Sequence, residues 1–320
     1  MTSKTISPVA AFNIDEGVVT PLTEPWPDID TASGYRWLHV DLNDPGIALW
    51  AKEHLPAIAE RALQQTETRP RCEKLADGLI LNLRAVNLNP NSSPEDMVSL
   101  RVWATRNAVV SARRRKVWAV DDIRQSAEAG KAPETVGRFL TELVHGVMIR
   151  IEKVSLALDE ETDDMEEAVS DGVRLPHGQL TQLRSAVIKM RRFVNPQREA
   201  IATLAAMEDW ILAPEDLALL RETSNRTRRI VEELDATRDR LFALQDHIDA
   251  ERSHALSRNS YILSVVAAIF LPLGFLTGLF GVNIGGMPGI GSPMAFWVLS
   301  GASVICGIAL FLIFKFAKWL

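Results

Sequence analysis

Residues 259 to 314 contain no Asp, Glu, Lys, Arg or His, which excludes a purely soluble globular chain. Every other charge except Lys315 and Lys318 lies before that run. A bilayer core takes about 20 apolar residues per helix, so the run has room for two spans and a short turn. Cysteine is scarce as well. Cys72 and Cys306 are the only two, too few for a disulfide framework or a thiolate zinc site. Positive charge is not in excess: the net charge is −6, or −8 without the two terminal lysines, which argues against nucleic acid as a partner. No nucleophile motif, phosphate loop or metal-hydrolase spacing occurs, so neither an enzyme nor a bound cofactor is expected. The first residues, Met1 to Ile6, lack the basic and apolar regions of a secretory signal. The N-terminal part is therefore expected in the cytoplasm.

What is present reads as an α+β chain. Apolar residues alternate at Leu38, Val40 and Leu42, at Leu79, Leu81 and Leu83, and at Val98, Leu100, Val102 and Ala104, which predicts strands. Helices are expected from Asp44, with Pro45 in the first turn, and around Leu55 to Gln65. Beyond Pro133 the pattern is helical, with Leu140, Val144, Val147, Ile151, Val154 and Leu158 at three- and four-residue steps. Gly172 and Pro176 break it, and a second helix is expected from Gly178 to Leu212, bent or interrupted near Pro196, as the return arm of an antiparallel hairpin. A third begins at Pro214 and meets no breaker before Pro272. Roughly 65 residues at 1.5 Å each make it about 100 Å long. The hairpin tip carries Asp159, Glu160, Glu161, Asp163, Asp164, Glu166, Glu167 and Asp171 without a basic residue among them, either a solvated helix face or a cation-attracting surface.

The expected layout is a cytoplasmic α/β domain over 1–133 and a cytoplasmic helical hairpin and stalk over 134–260. A first transmembrane helix over 261–281, a periplasmic loop over 282–294, a second transmembrane helix over 295–316 and a cytoplasmic tail over 317–320 follow. Arg252 and Arg258 precede the first span, Lys315 and Lys318 end the second, and the loop between is uncharged. Both termini should lie in the cytoplasm. Two helices cannot enclose a hydrophilic path, so the chain is either an anchored soluble protein or one subunit of a multimeric pore.

The segment Ile269 to Gly289 bears on that choice. It contains Pro272-Leu273-Gly274-Phe275-Leu276-Thr277-Gly278-Leu279-Phe280-Gly281-Val282-Asn283, then Ile284-Gly285-Gly286-Met287-Pro288-Gly289. This resembles the CorA family of divalent-metal transporters, in which a Gly-Met-Asn tripeptide closes the first span. Gly281-Val282-Asn283 is the variant similar to the ZntB zinc-transporting branch. Thr68-Arg69-Pro70-Arg71, Leu81-Asn82-Leu83-Arg84 and Asp96-Met97-Val98-Ser99-Leu100-Arg101 also look like that branch. The resemblance implies a homopentamer of the bacterial inner membrane, with five Asn283 side chains ringed around a hydrated cation. An amide oxygen can hydrogen-bond the water shell of a divalent ion without stripping it. Read without the resemblance, Asn283 is first of all a helix-end cap. Magnesium-transporting relatives usually place an acidic residue soon after the tripeptide, whereas Gly285 to Gly289 is uncharged.

A polar stripe runs along the long helix. Steps of three and four from Glu232 give Ala236, Asp239, Ala243, Asp246, Ala250, Ser253, Ser257, Ser260, Ser264, Ala267, Leu271, Gly274 and Gly278. All but Leu271 are acidic or small, unlike the bulky seam that joins helices, which Leu234, Leu241, Leu244 and Ile248 supply on another face. Two roles are open: the border of a wet lumen constricted at Leu271, or small-residue packing with Gly274 and Gly278 as a close-approach pair. His247, Glu251 and His254 lie beside the stripe at a spacing that could bind zinc on one helical face, although exposed histidines near a membrane surface are the commoner case.

The resemblance implies transport of zinc, and of cobalt, nickel or cadmium, with uptake assisted by protons. The partners would then be divalent cations, protons, lipid and four further copies. Two rivals stand beside it: a CorA-like magnesium or cobalt channel, and a membrane-anchored cytoplasmic sensor or scaffold.

Overall fold

The computed structural model describes residues 6–23, 29, 31, 33–66, 68–75, 78–176, 178–207, 211–281, 289 and 291–316. The chain divides into two compact units, Met1–Leu244 and Gln245–Leu320.

The first unit is built on a seven-stranded sheet in the order β2-β1-β3-β7-β6-β5-β4. The strands are β1 (Ala10–Asp15), β2 (Val18–Pro21), β3 (Tyr35–Asp41), β4 (Arg71–Lys74), β5 (Leu79–Ala85), β6 (Val98–Ala104) and β7 (Ala108–Arg113). The β3–β7 pair is parallel and the others are antiparallel. Its central strands β5, β6 and β7 are buried over nearly all their residues, so the polar Asn82, Arg101 and Ser111 lie inside along with the apolar positions. One face carries Leu38, Val40, Ile80, Trp103, Val110 and Ala112 into a core with α1 (Ile47–His54) and α2 (Ala57–Gln64). The other face meets the helical layer. The rings of Trp37 and Phe139 are 4.9 Å apart there. Phe139 lies on α4 (Val136–Ser170), which packs with α3 (Trp118–Glu128) and with α5 (Gln179–Ala205).

Two sequence expectations are corrected. The helix expected from Asp44 starts at Ile47, because Asp44 closes a turn instead: its carboxylate accepts from Gly46 N–H at 2.8 Å and its carbonyl from Ile47 N–H at 3.2 Å. The helix expected to reach Leu212 ends at Ala205, where the Ala206 N–H is shared between the carbonyls of Ala202 and Thr203. Pro196 sits inside α5 without ending it. The start of α4 is secured by Thr135, whose hydroxyl accepts from Arg138 N–H at 3.1 Å.

The third helix, α6 (Pro214–Gly281), runs for 68 residues with Pro272 inside it. In the second unit it is followed by α7 (Ala295–Phe316). Both helices are long and apolar enough to cross a membrane.

Candidate ion path along the long helix

Within the first unit, α6 turns one face to the protein and one away. Ile230, Val231, Leu234, Leu241 and Leu244 are buried, as are Thr227 and Thr237. Glu232, Ala236, Asp239 and Ala243 are exposed. The polar stripe is therefore the uncovered line of the helix, and the leucines foreseen on another face pack inward. Asp239 is not an isolated carboxylate, since Arg238 donates to it at 2.7 Å.

The inward side also revises the acidic hairpin tip. Thr237 donates to Asp159 at 2.8 Å. Arg240 donates to Asp159 at 3.0 Å, to Glu166 at 2.6 Å and to Asp163. These bonds to Glu166 and Asp163 hold the Arg240 guanidinium above its ordinary value. One arginine from another helix thus binds three of these acids and offsets part of their charge, while Glu160, Glu161, Asp164, Glu167 and Asp171 stay exposed. The signal for this was spacing. Asp159, Asp163 and Glu166 recur at four and three residues, one row of α4 that a single fork-shaped donor can span.

Past residue 260 the described partly covered residues of α6 are Val265, Ala268, Ile269, Pro272, Leu273 and Leu276, one row at helical spacing. Asp246, Ala250, Ser253, Ser257, Ser260, Ser264, Ala267, Leu271, Gly274 and Gly278 lie off that row and are exposed. A Cβ built on Gly307 of α7 would come 3.8 Å from Leu273, whereas one built on Gly274 or Gly278 meets no atom within 4 Å. Within the single chain, α7 therefore does not pack on these two glycines. The Ser264 hydroxyl donates to the Ser260 carbonyl at 2.9 Å, which leaves its oxygen lone pairs outward as acceptors.

Gly281 closes α6, and Val282 and Asn283 lie outside the described residues. His247, Glu251 and His254 are exposed on α6. Among the described residues no three His, Cys, Asp or Glu side chains come together to hold a metal ion. The groups on offer along the stripe are hydroxyl and carboxylate oxygens, hard acceptors suited to a hydrated cation rather than a bare one.

Residues 32–315 match the family of CorA-like Mg2+ transporter proteins. The chain belongs to the CorA family. Zinc transport protein ZntB of Pectobacterium carotovorum is 34% identical over 317 residues, covering 98% of this chain and 96% of the relative. Divalent cation transporter CmaX of Pseudomonas aeruginosa is 35% identical over 291 residues, covering 89% and 87%. The structure of the full-length CmaX protein aligns with a TM-score of 0.85 at 30% identity over 100% of both chains. The CorA family is one of ion transporters, which sets aside the reading of a membrane-anchored sensor or scaffold.

Proposed function

We propose that five copies of this chain enclose a path for hydrated divalent cations, zinc foremost, across a bacterial inner membrane. Supporting this is one observation above the rest: Ala267, Leu271, Gly274 and Gly278 stay exposed beside the partly covered row from Val265 to Leu276, and they continue in helical phase the line of Ser253, Ser257, Ser260 and Ser264. Five such lines facing one axis would border a wet lumen. The relatives named for zinc and for divalent cations support the cargo. Residues 261–281 and 295–316 would be the spans, 282–294 the periplasmic loop, and both termini cytoplasmic. Gly281, Val282 and Asn283 would form the outer filter, with Asn283 holding the ion through its water shell.

Proton-gradient assistance belongs to the same proposal. No carboxylate or imidazole occurs from 259 to 314, so the protons would use the groups just before the span: Asp246, His247, Glu251 and His254. The test is uptake of radioactive zinc into proteoliposomes with and without an imposed pH gradient, for the parent and for Asn283→Ala. The parent should accumulate zinc faster with the gradient, and the assembled variant should not transport. Normal uptake by an assembled Asn283→Ala would return that residue to helix capping. Equal inhibition by excess magnesium would favour the magnesium or cobalt channel.

A further inference from the structure

Three segments of the first unit away from α6, 68–71, 81–84 and 96–101, meet at one corner of the sheet. Register places Arg71, Asn82 and Arg101 side by side on β4, β5 and β6, with Arg84 and Ser99 as the next pair. Arg101 is 1% exposed. Its Nη2 donates to the Gln65 carbonyl at 2.7 Å, at the C-terminal end of α2. Its Nε and Nη1 have no partner, and the same holds for both amide atoms of Asn82 and for the Thr68 hydroxyl. No carboxylate pairs with Arg101 among the described residues. Burial pulls its guanidinium down to about 10, and the charges of Arg114 and Arg84 add to that. A buried guanidinium without a counter-charge is costly, and proteins usually balance one.

Next to this corner opens a cleft of about 580 Å3, lined by Arg84, Arg114, Arg115, Arg192 and Lys189 against Glu95 and Asp96. Asp96 is matched by Lys189 at 2.8 Å. Arg84 is fixed by bonds to the carbonyls of Thr68 and Met97 and lies 4.4 Å from the Phe193 ring centre. Arg114, Arg115 and Arg192 are exposed at the rim, where their forked donors suit phosphate oxygens. The volume falls in the range of small-molecule sites and well above what one monatomic anion needs.

We propose that this cleft binds a small soluble phosphate-bearing anion. Arg114, Arg115 and Arg192 contact the phosphate, while Arg84 and Arg101 supply the positive field beneath it. The site is separate from the ion path and does not depend on what that path carries.

Calorimetric titration of the purified full-length protein in detergent with inorganic pyrophosphate, at fixed ionic strength, tests it. Saturable binding at one site per chain is expected. Arg114→Gln and Arg192→Gln should each weaken it about tenfold, and Arg174→Gln, elsewhere on the surface, should not. Arg101→Met should fold and lose the rise in melting temperature that pyrophosphate gives the parent. Heats no larger than those of sodium chloride, or parental affinity in both rim variants, would overturn the proposal. Binding of phosphatidate-containing micelles without binding of pyrophosphate would overturn it too, by assigning the cleft to lipid.

Discussion

Arg240 on α6 donates from Nη2 to Oε2 of Glu166 on α4 at 2.6 Å, and the same guanidinium reaches Asp159 and Asp163. One cation therefore fastens the long helix to three carboxylates of the hairpin. Its side chain is 33% exposed and that of Asp163 61%, so solvent screens part of the attraction. Arg240→Met should cost about 1–2 kcal/mol of stability in denaturant unfolding. The loss should shrink in high salt, as screening weakens the bonds already in the parent. An equal loss at all salt concentrations would mean that the packing of the arginine stem, not its charge, matters.

Elements with a clear period were legible in the sequence. The alternation around Leu38, Leu81 and Val102 marked β3, β5 and β6, and the three- and four-residue steps from Leu140 marked α4. The short pieces were not legible. β4 is Arg71-Cys72-Glu73-Lys74, half exposed and charged, so it carries no apolar signal. β7 is buried on both faces and shows no alternation. α3 has no capping side chain to announce it. At the candidate site, the small and acidic stripe was visible because helical phase alone defines it. That Arg240 neutralises part of the acidic tip was hidden, since a contact between Asp159 and Arg240 depends on how α4 and α6 pack.

His39 predicts how acid weakens the first unit. Burial lowers its pKa to about 3, Arg113 pushes the same way, and the hydrogen bond to the Ser111 carbonyl and the charge of Asp121 oppose. Its Nδ1 lies 2.9 Å from the Ser111 hydroxyl, which also accepts from Trp37 at 2.9 Å. The unfolded chain takes up a proton near pH 6.5 that the folded chain refuses until about pH 3. Stability from this group is full above pH 6.5 and falls by up to about 1.4 kcal/mol per pH unit below it. Asp121 is opposed by its own burial, yet its bonds to Lys116 and Arg124 hold it below the usual carboxylate range. Its loss comes at lower pH. Unfolding midpoints at pH 7 and pH 5 should therefore differ less in His39→Gln than in the parent. An unchanged difference would remove His39 as the cause.

The serine line makes a prediction about accessibility. Single cysteines at Ser257, Ser260 and Ser264 should react with small water-soluble thiol reagents and lose zinc flux, because only a hydrated thiolate reacts. Cysteines at Ile262 and Val266, off the stripe, should stay unmodified in the bilayer. Cys306 is replaced by Ser for this experiment. Cys72 can remain, since burial pushes its thiol up to about 12. Equal reactivity on both sets would end the lumen assignment.

Leu271 is the only bulky member of the stripe, and its side chain is 72% exposed in the single chain. Ala267 and Gly274, one turn to either side, are small, so five leucines around an axis would make the narrowest apolar ring on the path. Such a ring expels water, and a divalent ion cannot shed its shell there because no oxygen replaces it. Pro272 follows directly inside a helix that continues to Gly281. It removes one backbone hydrogen bond and makes this the place where α6 can bend as the ring widens. Leu271→Ser should therefore leak cations in proteoliposomes, with a higher zinc rate and a weaker dependence on the pH gradient than the parent. Leu271→Cys should react with thiol reagents when Phe270→Cys does not. Parental transport by Leu271→Ser, or the reverse order of reactivity, would shift the helix phase by one residue and assign the stripe to packing between subunits.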